Sequence, residues 1–179
     1  AAHVIEKAVG GLDLDDIDLL IIENVGNLVC PAEFDIGEDT RVVVLSVTEG
    51  EDKPAKYPLM FRECEVALLN KVDLLPYLDY DKDKAVEYIH QVHPQMPVFE
   101  ISAKTEEGFD AWIEWLKAKI KNKKVDGFLK KNRIGNNFHP FLLLIDQQGL
   151  VITSFCFPVL NSLGRHTFYS QMHAGHVIR

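Results

Sequence analysis

Two short stretches combine residue types that can do chemistry together. The first is Asn70-Lys71-Val72-Asp73, entered directly from the apolar run Val66-Ala-Leu-Leu69. A guanine presents N1–H and its N2 amino group side by side, and one carboxylate, that of Asp73, can accept both bonds. Adenine offers no such donor pair. In that arrangement Asn70 braces the loop and approaches N7, while the stem of Lys71 lies over the base plane. A charged turn in water would explain Asn-Lys-x-Asp equally well if it stood alone. The counterpart is Ile101-Ser102-Ala103-Lys104 at the end of the next apolar run, where a backbone N–H can read guanine O6.

The second stretch is Ile22-Glu23-Asn24-Val25-Gly26-Asn27-Leu28-Val29-Cys30-Pro31. It places a carboxylate, a glycine and a thiol at the exit of an apolar strand, and ligands of open α/β sheets bind at the carboxyl ends of strands. Glu23 can hold a Mg²⁺ water, Gly26 can bring its N–H close to a terminal phosphate, and Cys30 can bind a soft metal. An ordinary strand-to-loop exit is the plain alternative. Pro31 behind Cys30 and Asn27-Leu28 before it place that thiol on a loop.

The elements that must position these residues alternate. Strands are predicted at Leu19–Glu23, Val42–Val47, Val66–Asn70 and Val98–Ser102. Helices are predicted over the first nine residues up to Gly10-Gly11, in a short piece after Pro58, at Asp83–Val92 and at Glu106–Lys121. Alternation of this kind means right-handed crossovers and an α/β parallel sheet covered on both faces. The last helix carries Phe109, Trp112, Ile113, Leu116 and Ile120 on one stripe, with lysines towards its end.

Composition narrows the function classes. With 179 residues, 47% of them hydrophobic, the chain can bury one good core and an appendage. The net charge of -8 argues against a general nucleic-acid binder, which needs clustered Lys and Arg on an exposed face. Three Cys without a CxxC spacing suit a reducing compartment, so a cytoplasmic location is expected. No run of 18 apolar residues exists, so no membrane span is expected. The chain starts without Met and inside a helical pattern, which predicts a fragment of a longer protein.

After Lys124 the character changes. Residues 125–179 hold five basic residues and only Asp126 and Asp146 as acids, a charge of +3, so residues 1–124 carry -11 of the total of -8. Two domains follow: residues 1–124, and a tail at 125–179 of uncertain order. Phe141–Ile145 and Leu150–Phe157 around Asp146-Gln-Gln-Gly149 are predicted to form a β-hairpin foreign to the first part. His90 and His93 stand three apart on a helix that Pro94 ends, and they are expected at a solvated helix end. His166, His173 and His176 lie among small polar residues with no thiol or carboxylate nearby in sequence, so no metal role is expected for them.

Asn70-Lys-x-Asp73 and Ser102-Ala103-Lys104 together resemble the fourth and fifth guanine-binding motifs of GTPases. Glu23-x-x-Gly26 in place of Asp-x-x-Gly is similar to the metallochaperone branch that includes the urease accessory GTPases. Ile22 to Pro31, Ser46-Val-Thr-Glu-Gly-Glu-Asp-Lys-Pro54, Lys56-Tyr-Pro58 and Asn70-Lys-Val-Asp-Leu-Leu-Pro76 resemble, more closely, the HypB family of hydrogenase nickel-incorporation GTPases. The resemblance covers Ala1 to about Leu116 and none of the tail.

It implies a P-loop-type GTPase domain that uses GTP and Mg²⁺ and dimerises with GTP. It also implies a Ni²⁺ or Zn²⁺ site at the dimer interface, to which Cys30 would contribute. The partners implied are hydrogenase maturation proteins and the hydrogenase large subunit. Cys64 and Cys156 match no ligand position. A Walker A loop needs Gly-x-x-x-x-Gly-Lys-Ser/Thr, yet none of the 11 Gly is followed by Lys. The first strand and Walker A loop of such a domain are therefore expected to be missing, and these residues alone are expected not to hydrolyse GTP. Two other readings stand beside this one: a non-catalytic guanine- and metal-binding fragment, and a urease-type nickel GTPase, which the Asn-Val-Gly-Asn-Leu-Val-Cys-Pro wording disfavours.

Overall fold

A computed structural model describes residues 17–25, 37–131, 141–147, 167–173 and 176–178. Its strands are β1 (Leu19–Val25), β2 (Thr40–Ser46), β3 (Val66–Asn70), β4 (Val98–Glu100), β5 (Phe141–Gln147), β6 (Thr167–His173) and β7 (His176–Ile178). The helices are α1 (Lys53–Lys56), α2 (Pro58–Glu63), α3 (Lys82–Val92) and α4 (Phe109–Lys131), with a 3₁₀ helix at Val72–Tyr77. The strands join one seven-stranded sheet in the order β4-β3-β2-β5-β1-β6-β7. Every neighbouring pair is parallel except β6 with β7.

Continuous apolar runs suit these strands because both faces of the sheet are covered. On one face Leu19, Ile21, Val42, Val44, Val66, Leu68, Leu143 and Ile145 pack with Phe109, Trp112, Ile113 and Leu116 of α4. Phe99 and Trp115 extend that layer, with the Trp112 and Trp115 rings stacked at 5.4 Å. The two tryptophans are thus packing residues. On the other face Val43, Leu45, Ala67 and Leu69 meet Met60 and Phe61 of α2 and Ile89 of α3. Cys64 lies buried there, its thiol 3.6 Å from Met60 Sδ.

Local chemistry sets the helix ends. Pro54 and Pro58 occupy the first turns of α1 and α2, where a missing N–H costs nothing. Asp81 caps α3 by accepting the Lys84 amide at 2.9 Å. The helix expected to stop at Lys121 runs on to Lys131, through the domain boundary expected at Lys124. It is tied to the body of the domain by Lys119 with Glu65 and Lys123 with Asp39.

The larger difference from expectation lies beyond α4. Phe141–Ile145 do not turn back on the chain as a hairpin; β5 runs parallel between β1 and β2, pairing with both. That slot satisfies its backbone groups on both sides and leaves Leu143 and Ile145 fully buried, worth about 1.5–3 kcal/mol each. A free hairpin would do neither. Leu150–Phe157, the other arm of that hairpin, lie outside the described residues, as do the expected first helix, Gly26 and Cys30. Among the described residues no helix is long and apolar enough to cross a membrane.

Candidate functional site

β3 and β4 lie side by side and end on the same edge of the sheet, and the loops that leave them form one hydrogen-bonded unit. Asn70 is the last residue of β3 and is buried. Its Oδ1 accepts the Lys71 amide at 2.7 Å and the Ala103 amide at 3.1 Å. The first bond holds Lys71 in the left-handed region at φ 65, and from there the chain enters the 3₁₀ helix that carries Asp73. The Val72 amide then donates to the Ile101 carbonyl at 3.2 Å, a second tie between the loops.

The second loop is as tightly organised. Ser102 is fully buried. Its hydroxyl donates to Asp73 Oδ1 at 2.6 Å and accepts the Thr105 amide at 3.2 Å. The direction of this chain, from Thr105 N–H through Ser102 O–H to the carboxylate, is set because an amide only donates. Ser102 leaves the strand pattern expected for it because its amide donates to the Glu107 carbonyl at 2.9 Å. The Glu106 amide in turn donates to the Ser102 carbonyl at 2.8 Å, with Glu106 at φ 63. Lys71 and Glu106 are the non-glycine residues at positive φ among the described residues, one in each loop. Such conformations cost about 1 kcal/mol or more each and persist where surrounding bonds hold them.

Gly108 closes the second loop just before α4. It sits at φ +75, and a Cβ there would lie 1.9 Å from the Glu100 carbonyl oxygen. Glycine is required on both counts. None of the motifs in the sequence points to this residue, although Glu107-Gly108 ahead of an apolar helical stripe is a usable signal.

A neighbouring feature has no motif of its own either. Past β2, Glu49 is partly buried, and its Oε2 has no hydrogen-bond partner among the described residues. Burial pushes its carboxyl above the usual range, and the charges of Lys53 and Lys71 pull it part of the way back. The Tyr80 hydroxyl is likewise buried without a partner among the described residues; burial raises its pKa, helped by Glu51 and Glu49. Ser46 and Thr48 complete this corner through a 2.7 Å hydroxyl pair.

The expected residues thus separate into sets. Asn70, Lys71, Asp73, Ser102, Ala103 and Lys104 are brought together, with Lys104 exposed at the rim. Glu23 is fully buried on β1, between Ile145 of β5 and Gln171 of β6 in register. Gly26 and Cys30 fall outside the described residues. Among those described, no group of three or more His, Cys, Asp or Glu is arranged to hold a metal ion. The expectation for His90 and His93 is refined: the His90 ring meets the Met96 carbonyl at 3.1 Å and the His93 ring the Phe61 carbonyl at 3.2 Å.

A parallel sheet with two interlocked loops at its carboxyl edge, one bearing an oriented carboxylate, has the form of a nucleotide-binding α/β domain. Residues 2–100 match the family described as CobW/HypB/UreG, nucleotide-binding domain, and the chain belongs to that family. It is 56% identical over 115 residues to the hydrogenase maturation factor HypB of Escherichia coli K12, covering 64% of this chain and 40% of that protein. To a probable HypB of Methanocaldococcus jannaschii it is 42% identical over 123 residues, 69% of this chain and 56% of that one. The chain therefore spans about half the length, or less, of these curated relatives. Among solved structures, HypB from Archaeoglobus fulgidus superposes with a TM-score of 0.54 at 23% identity, covering 66% of this chain and 83% of that one. HypB from Helicobacter pylori in complex with nickel gives 0.55 at 19%, covering 68% and 82%. These two establish likeness of fold.

Proposed function

We propose that this chain carries the guanine-reading part of a GTPase metallochaperone that delivers nickel during [NiFe] hydrogenase maturation. The observation that supports it best is the Asn70–Ala103 and Ser102–Asp73 network. Asp73 Oδ1 is held by Ser102, which fixes the carboxylate plane and presents it to the N1–H and N2–H₂ of a guanine. Asn70 uses its oxygen inside the protein, so its NH₂ is the group that meets N7. The Ala103 amide is spent on Asn70 Oδ1, so the Lys104 amide is the donor left in this loop to read O6 of the base, and the Lys71 stem would cover the ring. The base half of a guanine nucleotide therefore fits the donors and acceptors present.

The phosphate half rests on Glu23 and Gly26. Glu23 is the residue that would hold Mg²⁺ through water, the ion supplying charge neutralisation at the phosphates, although β1 runs on to Val25 and leaves Glu23 buried two residues before its end. Gly26 would approach the terminal phosphate. Cys30 would offer a thiolate to Ni²⁺ or Zn²⁺ as cargo, four residues from the nucleotide contact, so that metal affinity follows nucleotide state. In this reading residues 1–124 are the GTPase portion, while residues 125–179 continue its last helix and contribute strands β5, β6 and β7 to the same sheet. A GTP-dependent homodimer, hydrogenase maturation proteins, the hydrogenase large subunit and a cytoplasmic location complete the reading, with the HypB relatives as its support.

Calorimetry of the chain with GDP, GTP and ADP tests it. Binding of both guanine nucleotides with ADP at least about a hundredfold weaker is expected from the paired bonds to Asp73. Equal affinity for ADP and GDP would remove the guanine reading.

A further inference from the structure

β2 leaves the sheet beside β3, and its exit turn is tied to the end of that strand. Ser46 is level with Asn70, and the Val47 amide donates to the Asn70 carbonyl at 3.1 Å. The Glu49 amide then donates to the Ser46 carbonyl at 3.0 Å, which folds Glu49 back towards the strand end from which Lys71 departs. Gly50, at φ 93, carries the chain out of this turn towards α1.

In that corner Glu49 costs the fold stability without forming a bond that would offset it. Its Oε2 is buried with no hydrogen-bond partner among the described residues, and burial is the main reason its carboxyl resists ionisation. The charged and titratable groups around it are Lys53 of α1, Lys71, Tyr80 ahead of α3 and the neighbouring Glu51. Burial, helped by Glu51 and Glu49, keeps the Tyr80 hydroxyl protonated, so the positive charges acting on Glu49 are those of Lys53 and Lys71. Lys53 holds its ammonium 5.5 Å from the Tyr57 ring centroid, whereas Lys71 belongs to the Asn70–Asp73 loop. An ionisable side chain kept at a cost to stability, within the field of a residue that contacts ligand, marks a functional position.

Resting on the guanine reading above, we propose that Glu49 is a positioning residue for Lys71: its carboxylate draws the ammonium towards the β2 exit and so holds the Lys71 stem across the base. Asn70 fixes the backbone of Lys71, at φ 65, and goes no further. The side chain beyond is a flexible four-carbon stem, which an opposite charge at its far end orders. Glu49 itself touches no part of the nucleotide, since its buried oxygen is out of a ligand's reach.

Calorimetry of the whole chain with GDP tests this through a double-mutant cycle. Glu49→Gln keeps the shape and removes the charge, and should weaken GDP binding by about threefold to tenfold. In Lys71→Met, which keeps an unbranched stem without the ammonium, the same change should have no effect. The weakening should come with a thermal midpoint no lower than the parent's, a combination that a merely structural role for Glu49 does not give. A second readout does not need the Lys71→Met background: at saturating GDP, the ring-current shift of the Lys71 methylene resonances seen by NMR in the parent should shrink in Glu49→Gln. Unchanged GDP affinity in Glu49→Gln, an equal loss in the Lys71→Met background, or an unaltered ring-current shift overturns the proposal. Each of these can occur while GDP still binds far more tightly than ADP, so such a failure is distinct from failure of the guanine reading, which loss of that discrimination marks.

Discussion

The Asn70 side-chain oxygen accepts the Ala103 amide at 3.1 Å, joining two loops 33 residues apart in the chain. The same oxygen holds the Lys71 amide, so one buried side chain satisfies a donor in each loop. Asn70→Ala would leave both amides without this partner and would release Lys71 from its left-handed conformation. A loss of about 2–4 kcal/mol is expected in urea unfolding, from two lost bonds to buried groups. Asn70→Asp, which keeps the acceptor, should cost clearly less. Equal costs for the two variants would mean that the loops are held by something else.

Asp73→Asn replaces a pair of acceptors by one acceptor and one donor, while Ser102 can still donate to the remaining oxygen. Guanine nucleotide binding should weaken by about 2–4 kcal/mol, and xanthine nucleotides, which present a carbonyl at C2, should become the better ligands. Competition between GDP and XDP reads this directly. Unchanged preference for GDP would remove Asp73 from the base pocket.

Gly108→Ala forces a Cβ to within 1.9 Å of the Glu100 carbonyl oxygen at a φ of +75. Backbone must move, and the backbone here includes the turn that holds Ser102. A destabilisation of at least about 2 kcal/mol is expected, with weaker guanine binding in the fraction that stays folded. A thermal midpoint equal to the parent's would show that the turn relaxes without cost.

Glu49 supplies a pH dependence. Its carboxyl pKa is raised in the folded state, chiefly by burial, so folding favours the protonated form. Its contribution to stability is present in full below the unfolded value near 4.5 and is lost as pH rises through the higher folded value. Glu49→Gln removes that loss. Its thermal midpoint should exceed the parent's at neutral pH by a small margin, up to about 2 °C once partial solvent screening is allowed for, and should converge with it as pH falls towards 4.5. A gap that widens on acidification would contradict the burial argument.

The guanine-reading residues are legible in the amino-acid sequence because their roles are written in residue type and short spacing. An acceptor pair for guanine needs a carboxylate, a loop brace needs a short amide, and both sit within four positions of a strand end. The strands around them are equally legible, since runs such as Val66–Leu69 are too apolar for anything but a sheet covered on both faces. Ser102 can be recognised there too, but its bond to Asp73 cannot: it joins residues 29 apart and exists because β3 and β4 are neighbours.

Strand order lies beyond the chain's local pattern for the same reason. Phe141–Ile145 announce that they must be buried, yet nothing in their composition names the partner strands. Backbone pairing is chemically alike for every strand, so the choice between a hairpin and the slot between β1 and β2 is made by the whole sheet. The slot wins because it satisfies both edges of β5 and seals Leu143 and Ile145 against α4. The same nonlocal choice sets β6 beside β1, with His173 level with Val25, a proximity that sequence separation conceals and only the register of paired backbones creates.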